Sequence, residues 1–288
     1  MTAHLCRGIA FAGTSLTVIY EPRTAALVEL LYRNIPSADP DLTGRVYRLA
    51  ADSSGVFSLH LEDQLLYQGT VEAEVAAILL GETCHHLAAE SRGGLVFHAA
   101  ALSRAGQGIL FPGSIGAGKT TLTAWLVTQG YTYLTDELVY VPAGTTQMHT
   151  LARPLNLKAG SRAALRPYFD FDAQASHMLS TSGADLIPAE LLAPIPLAGL
   201  MEKPGGATPV RWIVFPRYTP DAPFEFRALS PAQAGLRLMQ CLVNARNLLL
   251  YGFRDAVSLA RSTPAYSLSY AGFDQIAIAL AQMCLRDF

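Results

Sequence analysis

The sequence predicts an α/β fold: a β-hairpin feeding a glycine-rich loop and its helix, preceded by a small α+β lobe. Three observations predict it. Strand patterns at Leu95–Leu102 and Ile109–Phe111 flank a tight turn and lead directly into Gly113–Thr120. A helical pattern at Lys119–Gln129 and a strand at Tyr131–Leu134 follow that loop. The first 90 or so residues mix short strand-like pieces with two helical ones and carry no chemical motif.

The elements follow in order. Strand-like pieces occur at Ile9–Phe11, Leu16–Tyr20, Val46–Ala50, Val56–Leu61 and Gln64–Gln68. Turn-like sequence separates them, at Ser37-Ala38-Asp39-Pro40 and Asp52-Ser53-Ser54-Gly55. Helices are expected at Thr24–Tyr32 and Val71–Ser91, where apolar residues recur at helical spacing. Ala105-Gly106-Gln107-Gly108 is the hairpin turn, and Gly130 is placed to cap the helix after the loop. The next strand ends at Thr135-Asp136-Glu137. Beyond residue 143 the pattern weakens. Arg211–Pro216 reads as a buried strand, and Ser230–Asn244 as a helix with a serine N-cap and Pro231 at its first position. Helices follow at Phe253–Ser262 and Phe273–Leu285. Ala173–Pro188 is polar and poorly periodic and reads as a mobile loop. The division expected is residues 1–92 as the lobe and 93–288 as the larger unit.

Composition narrows the class. With 288 residues, 51% hydrophobic and 15% charged, the chain can bury a large core. A net charge of −2 provides no basic stripe for nucleic acid or a membrane surface. Cys6, Cys84, Cys241 and Cys284 are far apart and form no CxxC, which favours a reducing cytoplasm over a disulfide framework. Cys84-His85-His86 looks like a metal cluster, but adjacent residues of a helix point in different directions. The first residues lack a signal-peptide pattern, and the apolar run Val75–Leu80 is far short of a membrane span, so a cytoplasmic protein is expected.

Gly113-Ser114-Ile115-Gly116-Ala117-Gly118-Lys119-Thr120 fits G-x-x-x-x-G-K-[ST] without a gap. Glycines let the backbone wrap so that N–H groups point at phosphate oxygens, and the helix behind presents its positive end to the same anion. Lys119 supplies charge for the β- and γ-phosphates of ATP, and the Thr120 hydroxyl can ligate Mg²⁺. Thr121, the next helical residue, joins the binding set. Asp136-Glu137 follows Lys119 after one helix and one short strand. One carboxylate there can hold Mg²⁺ and the other can accept a proton from an attacking hydroxyl. The bland alternative is a solvated acidic turn. His98 lies in the apolar strand beside the loop, where a histidine reads equally as a half-buried core residue or as a phosphate contact. Arg153 and Lys158 can neutralise a transferring phosphoryl group, but spacing alone favours ordinary surface charge. Arg217 carries the same ambiguity.

His98, the glycine-rich loop and the Asp136-Glu137 pair together resemble the C-terminal catalytic domain of HPr kinase/phosphorylase. The nearer resemblance is to stand-alone HPr-kinase-related proteins found beside peptide-modification genes, some of them kinases of lasso-peptide precursors. It covers roughly residues 93–250. It implies a phosphoenolpyruvate-carboxykinase-like P-loop fold with a mixed sheet, with which the hairpin agrees. It implies Asp136 as general base, Glu137 as metal ligand or positioner, His98 as support for the phosphate site, and Arg153 and Lys158 as basic residues around it. It also implies self-association. Two departures stand out. Glu137 replaces the aspartate of the bifunctional enzymes, and their downstream glycine- and arginine-rich segment is not recognisable. Both point to a kinase-only enzyme and away from HPr as substrate.

The leading expectation is an ATP- and Mg²⁺-dependent kinase of a serine hydroxyl in a peptide or protein. A small-metabolite kinase and a nucleotide-binding regulatory module without transfer stand beside it, because the loop reads the nucleotide and not the acceptor.

Overall fold

The computed structural model describes residues 4–181, 183–193 and 206–285. The first sheet has six strands: β1 (Leu5–Phe11), β2 (Thr14–Tyr20), β3 (Ser37–Ala38), β4 (Arg45–Ala51), β5 (Phe57–Leu61) and β6 (Gln64–Gly69), in the order β3-β1-β2-β4-β5-β6. Ser37-Ala38, expected as turn, is instead a short edge strand on β1. Helices α1 (Ala25–Tyr32) and α2 (Glu72–Glu90) supply the apolar face that covers the sheet. This core also takes in Val96 and Leu138, so α2 packs where the second sheet begins.

The second sheet is mixed. It contains β7 (Gly94–Arg104), β8 (Gln107–Pro112), β9 (Thr132–Thr135), β10 (Leu138–Pro142) and β11 (Gln147–Thr150). A small separate sheet follows, built from β12 (Leu155–Lys158), β13 (Leu179–Ser180) and β14 (Ala184–Ile187). The large sheet is completed by β15 (Thr208–Tyr218), β16 (Glu225–Ala228) and β17 (Ala265–Tyr270). Its order is β11-β10-β7-β8-β15-β17-β16, with β9 beside β10 on β7, and β11 also pairs with β15, so the sheet curls back on itself. The expected mobile loop at 173–188 is therefore a correction. Its described residues include β13 and β14, because β14 pairs with the apolar–polar alternation of Leu155–Lys158.

The apolar run of β7 has a simple cause. Ala100 and Leu102 face a core made with α3 (Lys119–Thr128) and α7 (Phe273–Leu285). Ala99 and Ala101 face a second core made with α5 (Pro231–Cys241) and α6 (Phe253–Ser262). A strand covered on both faces has no solvent side to fill with polar residues. The short helix α4 (Ala159–Leu165) lies against α3.

Local signals set several boundaries. The hairpin turn is the pair Ala105-Gly106, both at positive φ (51° and 74°), the geometry whose twist matches that of the flanking strands. Ser230 and Gln233 form a reciprocal capping box at α5. That helix ends at Cys241, short of the expected Asn244, because Asn244 is drawn into hydrogen bonds with the start of β7.

Candidate active site

Both β8 and β9 run antiparallel to β7, so they point the same way. β15 runs parallel to β8, and β17 parallel to β15. The carboxyl ends of these strands therefore reach one edge of the sheet, where ligands of open α/β sheets bind. A cavity of about 660 Å³ opens there. It is lined by the loop at Ile115, Gly116 and Gly118, by Lys119–Thr121, by His98, Asp136, Glu137 and Arg153, and by Tyr218 and Tyr270.

The loop leaves β8 and enters α3. Gly116 and Gly118 both take φ of +86°, which side chains disfavour. A Cβ on Gly118 would come within 2.7 Å of the Tyr270 hydroxyl and 2.8 Å of Tyr218 Cβ. No side chain caps α3 at Gly118, so the first-turn N–H groups of Lys119, Thr120 and Thr121 are left for another acceptor beside the cavity. Lys119 is buried, and its Nζ donates to the Gly113 and Ser114 carbonyls at 2.7 and 3.0 Å. Burial lowers its pKa. Gly113, Ser114 and Ala117 do not line the cavity. The first two hold Lys119, and the Ala117 carbonyl accepts the Tyr218 N–H at 3.1 Å. Ile115 projects at the loop tip, 80% exposed. The Thr121 hydroxyl pairs with the Ser161 hydroxyl at 2.6 Å, which ties α3 to α4.

Asp136 and Glu137 sit between β9 and β10. The strand expected to end there is only interrupted. Both halves pair with β7, and the Glu137 carbonyl still accepts the Ala99 N–H. The register with β7 is the same on both sides, with Thr135 opposite Ala101 and Leu138 opposite His98, so the acidic pair is a bend in one long strand; the bulge that kinks this strand is at Leu134, just before the pair. Asp136 is buried at 2% exposure, with Oδ1 3.3 Å from Arg153 Nη2 and 3.3 Å from the Tyr133 hydroxyl. Its Oδ2 is buried without a partner. Burial raises its pKa, and Arg153 is the largest opposing influence. Glu137 is a third exposed. Its Oε2 meets Arg153 Nη2 at 2.5 Å, and its Oε1 lies 3.7 Å from His98 Nε2. The His98 pKa is lowered, first by burial and then by Lys119.

Arg153 overturns the expectation of ordinary surface charge. It is 7% exposed and grips both carboxylates. Burial works against its charge, but Asp136 and Glu137 outweigh it and hold the guanidinium above its usual range. Lys158 is exposed and lines the cavity rim, whereas Arg217 is exposed and lies off it. Helix α2 backs the cluster. Cys84 is buried and senses the charge of Arg153, and burial pushes its thiol up to about 12. Its neighbour His86 meets the Tyr47 hydroxyl instead of sharing a site with Cys84.

Several residues escaped the sequence reading. The Tyr133 hydroxyl donates to the Arg153 carbonyl at 2.7 Å and touches Asp136. Asn156 lines the cavity with a buried, unpartnered Oδ1, and Arg153 Nε is likewise unpartnered. Tyr218 and Tyr270 reach the site only because β15 and β17 are parallel to β8, which no local pattern announces.

No protein-family model matches the chain, and no curated protein sequence does. Among solved structures it is similar to the Hpr(Ser) kinase/phosphatase from Coxiella burnetii, at 11% identity over 66% of this chain and 97% of that one. The TM-score is 0.32. Among the described residues no helix is long and apolar enough to cross a membrane.

Proposed function

We propose that this chain is an ATP- and Mg²⁺-dependent kinase that phosphorylates a serine hydroxyl of a peptide or protein, with ribosomally made precursor peptides of the lasso type as candidates. One observation carries the phosphotransferase reading: Asp136, whose Oδ2 is buried and unpartnered, lines the same cavity as an uncapped glycine-rich helix start. A site that only binds nucleotide has no use for a desolvated carboxylate with an open oxygen. The peptide acceptor follows from the sequence resemblance, as does the phosphoenolpyruvate-carboxykinase-like fold. The latter is supported by β7 running antiparallel between the loop strand and the acid strand.

The first-turn N–H groups of α3 and the Lys119 ammonium bind the phosphates, Lys119 exchanging its loop carbonyls for phosphate oxygens. Asp136 has one oxygen without a partner, Oδ2. Oδ2 takes the hydroxyl proton as the oxygen–phosphorus bond forms and the bond from the γ-phosphorus to the bridging oxygen breaks. A raised pKa suits that task better than an ordinary aspartate. Arg153 holds Oδ1, which leaves Oδ2 oriented, and adds positive charge near the transferring group. Thr120 and Glu137 provide the hard oxygen donors that suit Mg²⁺, which would neutralise charge on the β- and γ-phosphates. His98 positions Glu137 from β7.

The test is Asp136→Asn. ATP binding by calorimetry should stay within about threefold, while transfer of labelled phosphate falls by about 10²-fold or more, the usual share of a general base. Undiminished transfer removes Asp136 as base. Label appearing in a metabolite pool and not in a peptide pool replaces the peptide acceptor by a small one. Binding without transfer to either pool favours the regulatory module.

A further inference from the structure

We infer that Tyr218 is the stacking platform for the nucleobase, with Tyr270 and Phe273 as the walls of a base subsite. This rests on the nucleotide-binding reading above and concerns the end of the cavity opposite the acids. The strand order around the loop is β9, β7, β8, β15, β17. The acidic cluster therefore lies on one side of the loop strand and the two tyrosines on the other. Neighbouring strands are about 5 Å apart, so each group stands one or two strand spacings from the loop. A triphosphate laid along the loop with its γ-phosphate toward Asp136 carries its nucleoside toward β15 and β17.

That end is aromatic. Tyr218 lines the cavity and is 46% exposed, with its ring centroid 5.6 Å from that of Tyr270. Tyr270 is buried, its hydroxyl 3.5 Å from the Gly118 carbonyl. Phe273, at the start of α7, is stacked on Trp125 at 5.0 Å with the planes 1° apart, which fixes it in place. The Tyr218 backbone is tied to the loop through the Ala117 carbonyl. Its ring is thus an open apolar face beside an anion site, on backbone that is tied to the loop. A flat, uncharged ring system joined to a triphosphate matches both halves of that surface, and every base offers a π-face to it. Purines, with the larger face, should be held more tightly than pyrimidines.

The experiment measures binding of ATP, CTP and inorganic tripolyphosphate to the full chain with Tyr218→Ala and Tyr218→Phe. Native protein should prefer ATP to CTP. Tyr218→Ala should weaken ATP by at least about fivefold, the lower end for loss of one base–aromatic stack. Tripolyphosphate binding should stay unchanged, and Tyr218→Phe should retain ATP affinity. An Ala variant within twofold of native for ATP overturns the platform. So does an equal loss for ATP and tripolyphosphate, which would place Tyr218 in support of the loop instead. If native protein binds none of the three ligands, the nucleotide reading itself fails, a result distinct from both.

Discussion

Replacing Arg153 by methionine tests whether one guanidinium holds the acidic cluster together. The residue is 7% exposed, and both carboxylates approach its Nη2. The variant keeps much of the side-chain volume but leaves Asp136 buried without a countercharge. Removing one partner of a buried pair costs about 3–5 kcal/mol. The Glu137 share is small, because that side chain is a third exposed and water can replace the arginine. The loss should therefore follow Asp136 and depend on pH. Its folded-state pKa is already raised above 3.8 by burial, and loss of Arg153 raises it further. A carboxyl with a raised folded pKa stabilises the fold fully below its unfolded pKa and loses that contribution as pH rises through the folded one. Between those values stability falls by about 1.4 kcal/mol per pH unit. Urea unfolding should show Arg153→Met weaker than native by about 3–5 kcal/mol at pH 8 and by clearly less at pH 5. Adding Asp136→Asn should recover most of the loss at pH 8. A penalty under about 1 kcal/mol, the same penalty at both pH values, or strict additivity in the double variant would refute the argument.

Two further substitutions probe the scaffold. Gly118→Ala forces a Cβ at φ +86° against the Tyr270 hydroxyl, whereas Gly116→Ala has the same φ and nothing within 4 Å. Both should lose about 1–2 kcal/mol for the backbone, but Gly118→Ala should lose more, with ATP affinity down at least tenfold. Equal effects in thermal melts and binding would show that the tyrosine contact is unimportant. Asn244→Ala removes a buried amide whose Oδ1 accepts the Val96 N–H at 3.0 Å and whose Nδ2 donates to the Gly94 carbonyl at 3.0 Å. The stranded Val96 N–H should cost about 1–3 kcal/mol in urea unfolding. A loss below about 1 kcal/mol would mean that water reaches the site.

What the sequence by itself determined is local. The glycine-rich loop, its helix, the hairpin before it and the C-terminal helices are set by glycine positions, caps and a 3.6-residue period, which act within a few residues. Helices Phe253–Ser262 and Phe273–Leu285 have the bounds read from the sequence. The acidic pair was legible for the same reason, but its setting was not. Whether a strand stops at Asp136 or bends and continues depends on β7 holding both halves. Burial of Arg153 depends on α2 closing behind it, and that helix lies more than 60 residues earlier in the chain. Strands β13 and β14 exist because Leu155–Lys158 offers an edge to pair with, which polar composition alone could not announce. The tyrosines join the loop only through the parallel alignment of β15 and β17 with β8. Each is a long-range pairing with no local energetic trace, so only the tertiary structure decided it.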